Sequence, residues 1–344
     1  MELRTFIDAL SRHGLLTRVT REVDWKFELG ALVRSHRGPL LFENVKDYPG
    51  ARVFANGISG LVAIGLALGL PSGISRKDLV HELQRRRRGR FKPQFVNSGP
   101  VMENFLAGDE IDLFRLPVPH WHPSDAGRYI GTWHVNASRD PDTGCRNLGV
   151  YRMELLGPRL ATISTYQSSH LGMHVAKAER QGRPLEVAVV IGAPECVVMA
   201  GAAALPNGQD EYELAGALEQ QSIELVPCRT IKMEVPASAE IVIEGVIRPR
   251  ERVNDGPYFD YLAQPTSNPS AFLFEASGLM FRNQPIFRGA SIGVPGAEDQ
   301  QLFVALAYMG LWDFKQSAAK RSVQSFLLKR GMFRAFMVAG RIHL

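Results

Sequence analysis

Along the first hundred residues the apolar positions switch repeatedly between a helical and a strand period. Thr5 to His13 places Phe6 and Leu10 on one helical face, and Gly14 ends the run. Leu15 to Val19 then reads as a strand, Phe27 to Ser35 as a second helix, and Pro39 to Val45 as a buried strand. Leu61–Leu70 and Arg76–Arg87 are further helices, the latter with Ser75 as its N-cap. The alternation predicts an α/β module.

Residues 93–128 are proline-rich and irregular, and read as an ordered linker crossing to a second unit. From Tyr129 to Phe287 strands dominate: Ile130–Ala137, Leu148–Leu155, Ala161–Thr165, Glu186–Ile191, Glu240–Arg248 and Phe272–Phe281. The tight apolar run of Glu240–Ile247 suggests burial on both faces. Helices interrupt at His170–Gln181 and Asp210–Glu219, so a mostly antiparallel barrel or sheet with inserted helices is expected. After about residue 295 the pattern turns helical again, at Asp299–Met309 and Ser317–Gly331, and the segment from Lys320 to Arg341 is basic. Three units follow: an N-terminal module over 1–115, a strand-rich domain over 116–294 and a helical remainder over 295–344.

Composition narrows the class. Hydrophobic residues make up 45% and charged residues 22% of 344 positions, ordinary for a globular protein of two or three domains. Cys145, Cys196 and Cys228 are odd in number, widely spaced and form no C-x-x-C pair, which excludes a zinc ribbon and points to a reducing cytoplasm. The start, with Glu2 and Asp8 in an amphipathic run, is not a signal peptide. The longest apolar stretch, Ile58 to Leu70, is too short and too interrupted to span a membrane. The net charge of +5 has one concentrated source, Arg85 to Lys92 at a helix end. Cations suit a helix C-terminus, and no aromatic-interleaved basic face supports nucleic-acid binding.

Four polar segments carry candidate chemistry. Asn147 to Arg152 sets an amide and a guanidinium on one strand, Ser169 to His174 places a histidine at a strand-to-helix junction, and Pro206 to Glu211 is a glycine turn opening an acidic helix. An amide oxygen, an imidazole and a carboxylate suit Mn²⁺ or Mg²⁺ better than zinc or copper. Each also has a bland reading as a cap or turn residue, and His120, His122 and His174 compete as ligands on spacing alone. The fourth segment, Asn254 to Tyr261, presents two carboxylates around a Gly-Pro pair, either as a surface hairpin or as an acid pair beside Arg152.

In order, Pro-His-Trp-His (119–122), Gly-Arg-Tyr-Ile (127–130), Arg-Asp-Pro-Asp-Thr-Gly (139–144), Asn-Leu-Gly-Val-Tyr-Arg (147–152), His-Leu-Gly (170–172), Pro-Asn-Gly-Gln-Asp-Glu (206–211), Glu-Leu-Val-Pro-Cys (224–228), Val-Pro-Ala-Ser-Ala-Glu-Ile-Val-Ile-Glu-Gly (235–245) and Asp-Gly-Pro-Tyr (255–258) resemble the UbiD decarboxylases. The resemblance runs from about residue 1 to about 300. It implies an α+β fold: an N-terminal α/β module, a split β-barrel that binds prenylated FMN, and the beginning only of a C-terminal α/β oligomerisation domain. It implies Mn²⁺ (or Mg²⁺) held against the cofactor phosphate by Asn147, His170 and Glu211, with Thr132, Val150, Tyr151 and Arg152 beside the flavin. A K⁺ site would draw carbonyls from Ala200–Ala203. The acid–base network would be Asp255, Arg152 and Asp260, with Asp260 as proton donor and Arg152 between the two acids.

The implied activity is removal of CO2 from an aromatic or α,β-unsaturated carboxylic acid, with the cofactor as electron sink. A UbiX-like flavin prenyltransferase would supply the cofactor, and a homodimer or a partner subunit would complete the assembly. Two positions depart from the family pattern. Asp255 stands where glutamate is usual, so the shorter side chain is expected to reach Arg152 only through water or a shifted loop, and Phe259 replaces a glycine and narrows the pocket. These departures, with the short C-terminal region, leave a second reading: a non-catalytic flavin- and metal-binding subunit of a multi-subunit decarboxylase.

Overall fold

The computed structural model of the chain describes residues 1–261, 263–293 and 297–311. Its first elements are α1 (Leu3–Arg12), β1 (Thr17–Val19), α2 (Glu28–Ser35), β2 (Leu40–Phe42), β3 (Arg52–Ala55), α3 (Leu61–Ala67) and α4 (Arg76–Arg86). These match the sequence expectation closely. α1 is amphipathic, burying Leu3, Phe6, Ile7 and Leu10 while Ser11 and Arg12 face solvent. Ser75 caps α4 as expected, its Oγ accepting the Asp78 N–H at 3.1 Å.

The arginine run at the end of α4 is used inside the fold. Arg86 is buried and donates to the carbonyls of Leu68 (2.8 Å) and Leu218 (2.5 Å), both at helix C-terminal ends. Arg87 donates to the carbonyl of Met309, and Glu82 pairs with both Arg85 and Arg86. A guanidinium thus satisfies carbonyls that two other helices leave unpaired, where the sequence predicts a solvated end of its own helix.

The proline-rich connection holds β4 (Gln94–Phe95), β5 (Asn104–Ala107) and three short 3₁₀ turns. β5 was not foreseen: it pairs with a late strand at the edge of the main sheet. The strand-rich part then contains β6 (Tyr129–Gly131), β7 (His134–Arg139), β8 (Arg146–Gly149), β9 (Met153–Glu154), β10 (Leu160–Ile163), α5 (His170–Arg180), β11 (Leu185–Ile191), α6 (Glu195–Gly201) and α7 (Glu211–Glu219). β12 (Glu224–Pro227), β13 (Glu234–Pro236), β14 (Ile241–Phe259), β15 (Pro265–Phe281), β16 (Ile286–Arg288) and α8 (Glu298–Tyr308) follow. The expected helix over Ser317–Gly331 and the basic segment Lys320–Arg341 lie outside the described residues.

The main sheet has the order β10-β15-β14-β11-β7-β8, with β5 also on β15, and every pairing in it is antiparallel. It curls into a half-barrel. A smaller sheet, β1-β2-β3-β16, joins the N-terminal elements to a strand from residues 286–288. Two sequence expectations need correction. The strand expected over Leu148–Leu155 is interrupted: residues 150–152 leave the ladder between β8 and β9. The Gly-Pro segment after Arg248 is no hairpin turn either. β14 continues to Phe259, staying paired with β15 through four register shifts. Bulges let a strand bend without giving up its partner, and the turn-like residues serve that bend.

Gly256 (φ 94°) lies in this stretch, and a Cβ there would stand 2.6 Å from the Thr266 carbonyl oxygen. Only glycine fits so close an approach.

A buried ion cluster joins the sheets. Arg288 of β16 is 1% exposed and donates to Glu195 of α6 (2.9 Å) and Glu298 of α8 (3.0 Å). Its guanidinium lies over the rings of Trp133 (4.6 Å) and Phe54 (5.1 Å). Glu195 also accepts the Trp133 indole N–H (2.7 Å), and Glu298 the Asn56 backbone N–H (2.7 Å). Removing the cation would strand two buried carboxylates, so Arg288→Met is expected to cost about 3–5 kcal/mol, read by denaturant unfolding. A loss below about 1 kcal/mol, the range of exposed pairs, would contradict that role.

Candidate active site

β8 is the edge strand of the curled sheet, and its free edge faces the first turns of α5 and α7. Asn147 lies on β8, paired in register with Ser138 of β7. His170 opens α5, whose N-cap Ser169 accepts the Gly172 N–H at 3.0 Å. Glu211 opens α7 behind its N-cap Asp210, which accepts the Tyr212 N–H at 2.9 Å. Two helix starts and one strand edge thus bring together residues 147, 170 and 211.

The contacts are direct. His170 Nδ1 and Asn147 Oδ1 are 3.0 Å apart, and Glu211 Oε2 accepts the N–H of Leu148, the residue after Asn147, at 2.8 Å. Asn147 is 4% and Glu211 1% exposed. Burial pushes the Glu211 carboxyl up to about 7 and the His170 imidazole down, so both stand ready to share a cation in place of water. The Asn147 amide nitrogen is buried with no partner among the described residues. An amide oxygen, an imidazole and a carboxylate would suit a hard divalent ion, and the left-over amide N–H would suit an anionic acceptor beside it.

The competing histidines are engaged elsewhere. His120 meets the Asp125 carbonyl (3.0 Å), His122 the Ser124 hydroxyl (2.6 Å) and buried His174 the Ser138 hydroxyl (3.0 Å). Val150 and Tyr151, just past β8, are half-buried. Burial raises the Tyr151 phenol. Thr132 is buried, its hydroxyl accepting the Ala290 N–H at 3.0 Å. Residues 200–203 run through the C-terminal end of α6 and beyond it, and the carbonyls of Ala200 and Ala203 accept the N–H groups of Ala203 (3.1 Å) and Leu205 (3.0 Å).

On the other side of residues 150–152 is the acid network. Arg152 Nε donates to Asp255 Oδ1 at 2.5 Å, and its Nη1 to the Thr266 hydroxyl at 2.6 Å. Of the two expected routes, through water or through a shifted loop, the first is not used: the contact is direct and needs no bridging water. The β14–β15 register shifts on either side of Asp255 at this point, so bulges flank the residue that meets the guanidinium. Asp255 is 1% exposed, and its second oxygen accepts the Thr162 hydroxyl at 2.7 Å.

Sequence reasoning missed the rest of this chain. Thr162 also accepts the Glu154 N–H (2.9 Å), and the buried Glu154 carboxylate accepts the Tyr129 hydroxyl (3.2 Å) and the Gly256 N–H (3.1 Å). Burial raises the Glu154 carboxyl. One signal was available for Glu154: an acid within the apolar run Met153–Leu155. Nothing in the sequence marked Thr162 or Thr266.

Asp260 follows the end of β14, half-buried, with its N–H donating to the Gln264 carbonyl at 3.1 Å. The chain returns close to it at Gly293 (φ 86°), where a Cβ would stand 2.2 Å from the Asp260 carbonyl oxygen. Phe259 stacks on His122 with ring centroids 4.3 Å apart, and Tyr261 meets Phe303 edge-on at 5.5 Å. Asp299, at the start of α8, accepts the Gly293 N–H at 3.2 Å. Its other oxygen is buried with no partner among the described residues. Burial pushes Asp299 up to about 7 and the partly buried Asp125 up to about 6.

These two raised carboxyls set a pH dependence. Below the unfolded carboxyl range both states are protonated and stability is at its full value. As pH rises through the folded values of about 6 and about 7, the folded protein must ionise buried groups and stability falls. Asp299→Asn is expected to flatten this fall between about pH 4 and 7, by on the order of 3 kcal/mol, in denaturant titrations across pH. A slope unchanged by the substitution would show that Asp299 ionises freely.

Comparison with known proteins gives a consistent result. Residues 94–295 match the Rift-related domain of the 3-octaprenyl-4-hydroxybenzoate carboxy-lyase (UbiD) family, and residues 7–85 its N-terminal domain. The chain is 34% identical over 334 residues to pyrrole-2-carboxylic acid decarboxylase of Pseudomonas aeruginosa, covering 92% of this chain and 67% of that one. It is 30% identical over 309 residues to phenolic acid decarboxylase of Escherichia coli O157:H7, covering 86% of this chain and 65% of that one. Among solved structures it resembles an evolved dimeric form of the UbiD-class enzyme HmfF from Pelotomaculum thermopropionicum in complex with prFMN. The TM-score is 0.81 at 33% identity, over 90% of this chain and 70% of that one. The chain thus spans about two thirds of the length of these relatives.

Proposed function

The chain belongs to the UbiD carboxy-lyase family, and on that premise we propose that it is a prenylated-FMN- and Mn²⁺-dependent decarboxylase of an aromatic or α,β-unsaturated carboxylic acid. The observation that carries this reading is the meeting of Asn147, His170 and Glu211 at the edge of β8, on the opposite side of residues 150–152 from the Arg152–Asp255 pair. The relatives named for pyrrole-2-carboxylic and phenolic acids favour an aromatic substrate.

Asn147, His170 and Glu211 would hold the metal, and Thr132, Val150 and Tyr151 would lie beside the flavin, where the edge of a sheet leaves backbone donors and acceptors free. When bound, prenylated FMN supplies the electron sink for loss of CO2. The protein's own work is then positioning, charge and one proton. Arg152 is held by Asp255 and Thr266, which orients its guanidinium, and a fixed cation there suits a substrate carboxylate. Glu154, raised by burial, extends the network: Thr162 accepts its N–H and donates to Asp255. Asp260 is assigned as the proton donor and Asp255 as the partner that orients Arg152. Phe259, Tyr261 and the α8 face near Phe303 supply aromatic walls.

The three cysteines are free, which agrees with a cytoplasmic setting, and no described helix is long and apolar enough to cross a membrane. A UbiX-like prenyltransferase is the expected cofactor source.

The test is purification after co-expression with a flavin prenyltransferase in Mn²⁺, followed by absorbance and native mass spectrometry. Stoichiometric prenylated FMN is expected, with loss of both cofactor and metal in Glu211→Ala. Asp260→Asn should keep the cofactor but slow decarboxylation by about 10²–10⁴-fold. A folded chain without flavin would overturn the independent-enzyme reading in favour of a binding subunit that needs a partner.

A further inference from the structure

Arg146 and Asp210 are the residues immediately before Asn147 and Glu211, and the two pairs of neighbours are cross-linked. Arg146 Nε and Nη2 both donate to Asp210 Oδ2, at 2.8 and 2.5 Å. The pair is largely buried, with side chains 12% and 19% exposed. The Arg146 guanidinium lies over the rings of Phe95 (5.5 Å) and Tyr212 (5.6 Å), which limit its movement. Asp210 Oδ1 meanwhile accepts the Tyr212 N–H as the cap of α7. One residue further on, Glu211 Oε2 accepts the Leu148 N–H.

We propose that the Arg146–Asp210 ion pair is a positioning device that sets Glu211 against Asn147 and so determines metal affinity. The inference rests on the metal reading above. Two physical points carry it. First, a strand edge and a helix start are joined here by two contacts from consecutive residues, and a shift of either element would have to break a desolvated, two-donor ion pair. Second, Asp210 and Glu211 are adjacent carboxylates, and only one can serve a metal on the β8 side. Arg146 and the Tyr212 N–H occupy both Asp210 oxygens, so Glu211 is the carboxylate left to the ion. Arg146 also reaches Glu234 of β13 at 3.5 Å, which makes a purely structural role the alternative to be separated by the test.

The experiment measures Mn²⁺ affinity of the full chain by the electron paramagnetic resonance signal of free Mn²⁺, for the wild type, Arg146→Met, Asp210→Asn, the double variant and Glu211→Gln. Asp210→Asn keeps an acceptor for the Tyr212 N–H while removing the charge. The expected result is that each single variant binds Mn²⁺ about 10–100-fold more weakly, the range for partners that orient metal ligands. The double variant should be no weaker than the worse single one, because both lose the same interaction. Thermal unfolding followed by circular dichroism checks that each variant is folded, and should Arg146→Met not fold, Asp210→Asn carries the test alone. Wild-type affinity in a folded Asp210→Asn, or losses that add in the double variant, would overturn the proposal while leaving the metal site intact. A wild type that binds no Mn²⁺, or binds it equally well in Glu211→Gln, would overturn the metal reading and this inference with it.

Discussion

A carboxylate removed from water must find donors, and that constraint organises this molecule. Glu154, Glu195, Glu211, Glu240, Glu244, Asp255, Glu298 and Asp299 are all buried. Several of them tie together segments distant in sequence. Glu240 takes a two-pronged contact from Arg4 and the N–H of Ile286, fixing the first helix to the sheet. Glu244 accepts the N–H groups of Arg229 and Thr230. Glu195 and Glu298 share Arg288, and Asp255 holds Arg152. Unpaired, any one of these acids would cost several kcal/mol, so the pairings specify which elements can be neighbours.

At the candidate site this satisfaction is incomplete. Glu211 has a backbone donor but no cation among its described partners, and the Asn147 amide nitrogen has nothing. Structural acids such as Glu195 and Glu298 face a guanidinium, whereas Glu211 accepts only a backbone N–H among its described partners. That contrast separates groups that hold the fold from a group arranged to receive a ligand. The Arg152–Asp255 pair is intermediate: fully bonded, yet beside a break in the ladder where residues 150–152 are freed from sheet pairing.

The sheet makes both halves of the site possible. β8 is an edge strand, so its outer side can face α5 and α7, whose first residues are His170 and Glu211. β14 keeps its pairing with β15 while bending, and so delivers Asp255 to Arg152 from across the barrel.

By itself the sequence determined the order of elements, since helical and strand periods are local properties. α1, α4, α5 and α7 fall where the periodicity puts them, with Ser75, Ser169 and Asp210 as caps. The motif order also singled out residues 147, 152, 170, 211 and 255 as candidates, because those short segments carry their chemistry in adjacent positions. What it could not reveal was pairing across distance. Thr162, Thr266 and Glu154 join the acid network only through register between β9, β10, β14 and β15, and β5 finds its place only as an edge partner of β15. The Gly-Pro segment at 256–257 has the composition of a turn, and the ladder to β15 made it a bulged strand. The arginine run had the same ambiguity, which the carbonyls of Leu68, Leu218 and Met309 resolved. In each case the deciding free energy, burial with a satisfied partner, belongs to two residues far apart in the chain, so it exists only once the tertiary structure has brought them together.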